Sequence, residues 1–276
     1  MEFYEFFKTP IWVENKPEFV RSLNKASDKY IKEAKKKNKN YIKKYGDFCT
    51  SYHSTPLTLD NDFLDLRNYV GQKSFDFLDW QGFDMSHYQT MFHEMWVQEF
   101  AKKGGGHHSA HVHWNQHVSG FYFLKASDKT SMPVFHEPRT GARATKLITK
   151  SKDLSHGSEL VHFKVQPGTL IIFPGYLEHE FTVDHGKDPF RFIHFNVQAV
   201  PKMMAKNASF VANYFLMQKQ VYDTCKNARY ISPFENIIGH YEGQDEQIPH
   251  TYSQYSNIAM ETLMLKCQPK MEEATG

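Results

Sequence analysis

The chain has 276 residues, 40% of them hydrophobic and 15% aromatic, enough to bury a sizeable core in one large domain or in a domain plus an extension. Its 33 basic and 31 acidic side chains leave a net charge of only +2, so no global charge points to nucleic acid or to an anionic membrane. Three scattered cysteines, Cys49, Cys225 and Cys267, lack C-x-x-C spacing and argue against both a disulfide framework and a thiolate zinc site.

The N-terminal MEFYEFFKTPIW has acids early and no basic-then-apolar signal pattern. No apolar run approaches the roughly 20 residues of a membrane span, so the expectation is a soluble cytoplasmic protein with no membrane partner.

In chain order, FFKTPIWV reads as a short strand. The stretch from Pro17 to about Tyr45 places Phe19, Val20, Leu23, Tyr30, Ile31 and Ile42 among lysines at the spacing of an amphipathic helix. Its run KEAKKKNKNYIKK reads as a solvated basic face, and no nucleic-acid partner is expected. A helix is predicted around Asp60 to Gln72, another around Ser86 to Met91, and a strand in EMWVQEF. The polar break KKGGGHHSA follows.

From His111 to Val200 the texture changes to short strands, HVHWN, VSGFYFL, MPVFHE, LVHFKV, TLIIFP, HEFTV and RFIHFNVQ, punctuated by Gly, Pro, Asp and Ser. That rhythm indicates a barrel or jelly roll. Residues 201–276 lose it and read as helix and loop, a helical extension that packs on the barrel or on a second subunit, which leaves a homodimer open. The last residues, QPKMEEATG, read as loose. The predicted organisation is thus 1–100 as an N-terminal strand and helices supporting the barrel, 101–200 as the barrel, and 201–276 as the extension, all in one unit.

The stretch HVHWNQHVSGFYFL puts His111, His113, Asn115 and His117 at every second position, on one face of a regular strand. Two histidines at i and i+2 can grip one ion, yet a lone His-x-His needs a distant partner. Residues 165–197 supply one: an apolar strand reaches a Pro-Gly turn and delivers His179, and Arg191 follows twelve residues later. Non-haem Fe(II) oxygenases need three protein ligands on one face of the metal, leaving the opposite positions for a co-substrate and O₂. An arginine can hold the co-substrate's far carboxylate through a charge-assisted pair.

HVHWN, SGFYFL, HEPR, PGTLIIFPGYLEH and RFIHFN, in that order, make the stretch from Gly104 to Gln198 resemble the Fe(II)/2-oxoglutarate-dependent oxygenases, and most closely a subfamily from bacteria and their viruses. The resemblance covers about a third of the chain directly, and the opening FFKTPIW also looks like the subfamily's start.

It implies a double-stranded β-helix, mainly β with flanking helices, with Fe(II) as metal and 2-oxoglutarate and O₂ as co-substrates. His111 and His179 would be ligands, Arg191 would bind the C5 carboxylate, and Tyr122 would be a second co-substrate contact. The implied activity is hydroxylation of a peptidyl or amino-acid side chain, as in prolyl hydroxylases, or of a small metabolite. The wider superfamily has His-x-Asp or His-x-Glu where this chain has His113. Three readings of the third ligand stand: His113 itself, the Asn115 carbonyl, or water.

Other residues read as structure. His107 and His108 line a loop after three glycines, His117 and Trp114 are bystanders, and His136 and Glu137 belong to a turn with Arg139. His156, His162, His185 and His194 are isolated, and Asn196 stabilises the barrel rim or reaches the pocket. Two rival functions remain: a three-histidine cupin-type dioxygenase without 2-oxoglutarate, and a non-catalytic jelly-roll module for assembly or binding.

Overall fold

A computed structural model describes residues 2, 4–113 and 116–202. Met1–Val200 form one compact unit and are described by themselves. The predicted extension with its proposed dimer contact, and the Trp114 and Asn115 readings, lie outside the described residues.

Strand β1 (Trp12–Asn15) leads through a 3-10 turn at Pro17–Phe19 into helix α1 (Val20–Lys37) and helix α2 (Lys39–Tyr45). Leu23, Ser27, Ile31 and Ala34 are the buried residues of α1, one stripe at helical spacing, and three lysines close its last turn, where the helix dipole favours cations. A short strand β2 (Ser51–His53), absent from the sequence reading, precedes helix α3 (Leu64–Trp80). The Asp60 side chain accepts from the Asp62 N–H at the 3-10 turn that opens α3.

Strand β3 (Tyr88–Phe100) runs through residues predicted as a helix around Ser86 to Met91. Only a 3-10 turn, Met85–His87, is helical there. Burial concentrates toward the end of β3, and sheet pairing overrides the local helical pattern at its start.

The remaining strands are β4 (His108–His111), β5 (Val118–Lys125), β6 (Pro133–His136), β7 (Leu160–His162), β8 (Thr169–Pro174), β9 (His179–Phe181) and β10 (Arg191–Pro201). A short helix α4 (Thr140–Ala144) lies between β6 and β7. One sheet has the order β1-β8-β5-β10-β3-β2 and the other β4-β9-β6-β7.

From β3 to β10 the chain passes back and forth between the two sheets, β6 and β7 being the one consecutive pair in the same sheet. This is the topology of a double-stranded β-helix, the fold expected. β1, β2 and β3 all belong to the larger sheet although they lie within residues 1–100.

Two cores divide the side chains of the larger sheet. Tyr122, Leu124, Ile193, Phe195, Met95 and Val97 pack with Leu23 and Ile31 of α1 and Leu66 and Val70 of α3. Phe121, Phe123, Phe192 and Phe100 pack instead with Phe135, Phe173 and Phe181 in the barrel interior. Alternation along each strand thus feeds one core from odd positions and the other from even ones. Covered on both faces, β8 is buried throughout and β5 along all but its last residue, Lys125, and both strands are mostly apolar rather than alternating with polar residues. Among the described residues no helix is long and apolar enough to cross a membrane.

Candidate metal centre

The site forms where β4 ends and β9 begins, because His111 pairs in register with His179. β4 starts at His108, within the predicted polar break, and stops at His111 with a register irregularity between those residues. His113 therefore lies beyond the strand, and simple alternation is not what places it. Its backbone N–H donates to Gly175 O at 2.9 Å, and Gly175 N donates to His117 O at 3.2 Å. These bonds tie His113 and His117 to the Pro-Gly turn after β8. A Cβ on Gly175 would lie 2.5 Å from Gln116 O, so only glycine permits the approach.

One nitrogen from each of His111, His113 and His179 lies within 4.8 Å of the others, an arrangement that can hold a metal ion. His111 Nδ1 lies 2.7 Å from Ser109 O, and His179 Nδ1 lies 2.8 Å from Leu177 O. A carbonyl only accepts, so each Nδ1 carries the proton and each Nε2 offers its lone pair. This is the outer-sphere arrangement common to metal-binding histidines, and the donor set fits a divalent first-row metal. His113 Nε2 is 3.3 Å from His179 Nε2.

Phenylalanine rings wall the centre, with Phe173 4.7 Å and Phe121 5.6 Å from the His179 ring. Burial, reinforced by His111 and His113, pushes the His179 pKa well below its ordinary value. Burial does the same to His194 and lowers His108 to about 3. These rings stay neutral, as ligands and their packed neighbours must.

Arg191 and Tyr122 are not brought to the histidines. Arg191 Nε donates to Glu99 Oε2 at 2.7 Å, and Nη1 donates to Asp28 Oδ1 at 2.7 Å and to Asn24 O at 3.3 Å. Asn24 and Asp28 belong to α1, so Arg191 lies on the helix-covered face of the sheet while the histidines lie with the interior core. Arg191 holds Asp28 below the usual carboxylate range. Burial pushes Glu99 up, but Lys35 and Arg191 outweigh it and hold Glu99 low. Tyr122 donates to Lys16 O at 2.6 Å and packs edge-on to Phe19, and burial raises its pKa.

The structure adds interior residues that were read singly in the sequence. His194 stacks on His113 at 4.7 Å and lies 4.3 Å from the Trp96 ring. Asn196 Nδ2 donates to Glu94 Oε2 at 2.9 Å and lies 3.2 Å from His113 Nδ1. His108 Nε2 lies 2.6 Å from Gln98 Nε2, and its ring packs with Phe100 and Phe181. The signal for them was present: Phe192, His194 and Asn196 alternate in RFIHFN as the histidines do in HVH. His117 is structural, its Nδ1 accepting from Ala199 N at 3.1 Å. Glu137 pairs with Arg139 at 2.7 Å, and His136 stands near Glu178 and Glu180, consistent with the turn reading.

Residues 94–196 match the family model described as Putative 2OG-Fe(II) oxygenase. The matched segment runs from Glu94 in β3 to Asn196 in β10 and contains all three histidines.

Solved structures of similar fold include a 2OG-Fe(II) oxygenase family oxidoreductase from Burkholderia pseudomallei, at 13% identity and a TM-score of 0.37, covering 54% of this chain and 66% of that one. Also similar are a Pseudomonas putida prolyl-4-hydroxylase (11% identity, TM-score 0.43, covering 68% and 92%) and a viral collagen prolyl hydroxylase from Paramecium Bursaria Chlorella virus-1 (10%, 0.43, 68% and 96%). The chain thus spans just under two thirds of the Burkholderia protein. No curated protein matches this chain.

Proposed function

We propose that this protein is an Fe(II)- and 2-oxoglutarate-dependent oxygenase whose metal is held by His111, His113 and His179. The observation that carries the reading is the convergence of these three imidazoles to within 4.8 Å of one another, inside the segment that matches the oxygenase family. Bound Fe(II) would supply the redox chemistry that couples decarboxylation of 2-oxoglutarate to oxidation of a C–H bond. The chain's own part is to orient and to exclude water. The Leu177 and Ser109 carbonyls aim two lone pairs, and the Phe121 and Phe173 rings keep the interior apolar around His179.

The proposed substrate is a peptidyl or amino-acid side chain, as in prolyl hydroxylases, with a small metabolite second. Anaerobic titration with Fe(II) and 2-oxoglutarate tests the reading. A weak visible charge-transfer band is expected in wild type and lost in His179→Ala, and its absence from wild type sinks the reading.

A second reading, a three-histidine dioxygenase that uses no 2-oxoglutarate, is favoured by one observation. The arginine proposed for the co-substrate is already bonded to Glu99 and Asp28. Turnover in the absence of 2-oxoglutarate, without succinate, supports that alternative.

A further inference from the structure

The three histidines do not present the same face of their chemistry to the site. The amide nitrogen of Asn196 only donates, so His113 Nδ1, 3.2 Å away, accepts, and the ring proton of His113 sits on Nε2. His113 Nε2–H then donates to the His179 Nε2 lone pair at 3.3 Å. In this state Nε2 of His111 and of His179 carries a lone pair, that of His179 accepting from His113, whereas Nε2 of His113 carries an N–H.

An amide's oxygen and nitrogen are told apart by their partners. Here the partner that decides is Glu94, whose carboxylate oxygen accepts from Asn196 Nδ2 at 2.9 Å. Ser119, which donates to Asn196 Oδ1 at 2.5 Å, has a hydroxyl that accepts as readily as it donates and does not select an orientation. Turning the amide would let Oδ1 accept a hydrogen bond from His113 Nδ1–H, the tautomer in which Nε2 carries the lone pair. It would also set Oδ1 against the Glu94 carboxylate, acceptor against acceptor.

We infer that Glu94 and Asn196 are positioning residues that select the tautomer of His113, and that through it they decide whether His113 joins His111 and His179 on the metal. The inference rests on the reading of this cluster as a metal centre. The Glu94 carboxylate holds the amide in the orientation that opposes ligation, so the centre has two firm ligands and one governed by the Glu94–Asn196 pair. The usual carboxylate beside the proximal histidine is absent from the ligand positions. An acid instead stands one amide away from the third histidine.

Two variants shift the balance without emptying the site. Glu94→Gln is nearly isosteric and removes the acceptor-only partner, since its amide can either accept from Asn196 Nδ2 or donate to a turned Asn196 oxygen. Asn196→Asp provides an acceptor for His113 Nδ1–H directly. Nitrogen-15 NMR of the metal-free proteins is expected to show His113 protonated at Nε2 in wild type, at Nδ1 in Asn196→Asp, and as a mixture of the two tautomers in Glu94→Gln. Titration with Co(II) alone, read from its visible d–d bands, is expected to show at least about 10-fold tighter binding in Asn196→Asp, the low end of what outer-sphere partners of ligating histidines contribute, and a smaller gain in Glu94→Gln.

An Nδ1–H tautomer of His113 in metal-free wild type overturns the inference, as does an unchanged tautomer and Co(II) affinity in a folded Asn196→Asp protein. A wild type that binds no Co(II) while showing the expected tautomers refutes the metal-centre reading instead, so the two failures are distinguishable.

Discussion

Arg191 and Glu99 form a buried ion pair, with Nη2 and Nε of the arginine 2.6 and 2.7 Å from the same carboxylate oxygen, on the face of the larger sheet that α1 covers. Lys35 completes the pair by donating to the other Glu99 oxygen at 2.6 Å. The cluster anchors α1 to the ends of β3 and β10.

Removing one partner of such a pair strands a buried charge, at a typical cost of about 3–5 kcal/mol. Lys35 stays to compensate Glu99, so Arg191→Ala is expected at the low end, about 3 kcal/mol, measured as a fall in the urea midpoint at constant slope. Co(II) affinity is expected to stay at the wild-type value. A raised KM for 2-oxoglutarate with an unchanged urea midpoint would instead show Arg191 serving the co-substrate.

The firm ligands are expected to differ from the governed one. His111→Ala and His179→Ala should each weaken Co(II) binding beyond the roughly 100-fold that outer-sphere losses reach, and His113→Ala should weaken it less than either. Equal losses in all three would make His113 a full ligand in the resting protein.

Gly175 is the hinge of His113's position. In Gly175→Ala the new Cβ meets the Gln116 carbonyl, and overpacking of this kind costs about 1–3 kcal/mol. The bond from His113 N to Gly175 O is the contact that must shift, so the variant is expected to lose Co(II) affinity along with thermal stability. A protein with lowered Tm and wild-type affinity would show that the turn does not position His113.

The buried histidines make the metal-free protein acid-sensitive. His108 is lowered to about 3 by burial and His194 lies well below its ordinary value, while the unfolded chain takes up these protons near 6.5. A depressed folded pKa contributes stability that is fully present above about pH 6.5 and is lost as pH falls toward the folded value. Each such group adds up to about 1.4 kcal/mol of slope per pH unit. The urea midpoint should therefore fall between pH 7.5 and 5.5, and less steeply in His108→Gln; a flat profile in that window contradicts the burial of these rings.

Much of the architecture was legible in the chain because strand patterning is local. VSGFYFL, TLIIFP and RFIHFN are apolar runs of strand length set off by turn residues, and they became β5, β8 and β10. The start of β3, expected as a helix around Ser86 to Met91, was not legible as strand, since β3 pairs with β10 and β2, both remote in sequence.

The sequence by itself determined the jelly-roll rhythm and the order His111, His113, His179, because these depend on spacing along one chain. Tertiary structure alone decided which face each residue occupies. β10 carries apolar residues on both faces, Phe192 toward the interior and Ile193 toward the helices, so no local signal told that Arg191 would turn to Asp28 and Glu99. Likewise Glu94, Ser119 and Asn196 sit on three strands, and only the pairing of the sheet joins them to His113. A site that depends on hydrogen bonds between strands is decided by register, and register is a property of the folded sheet.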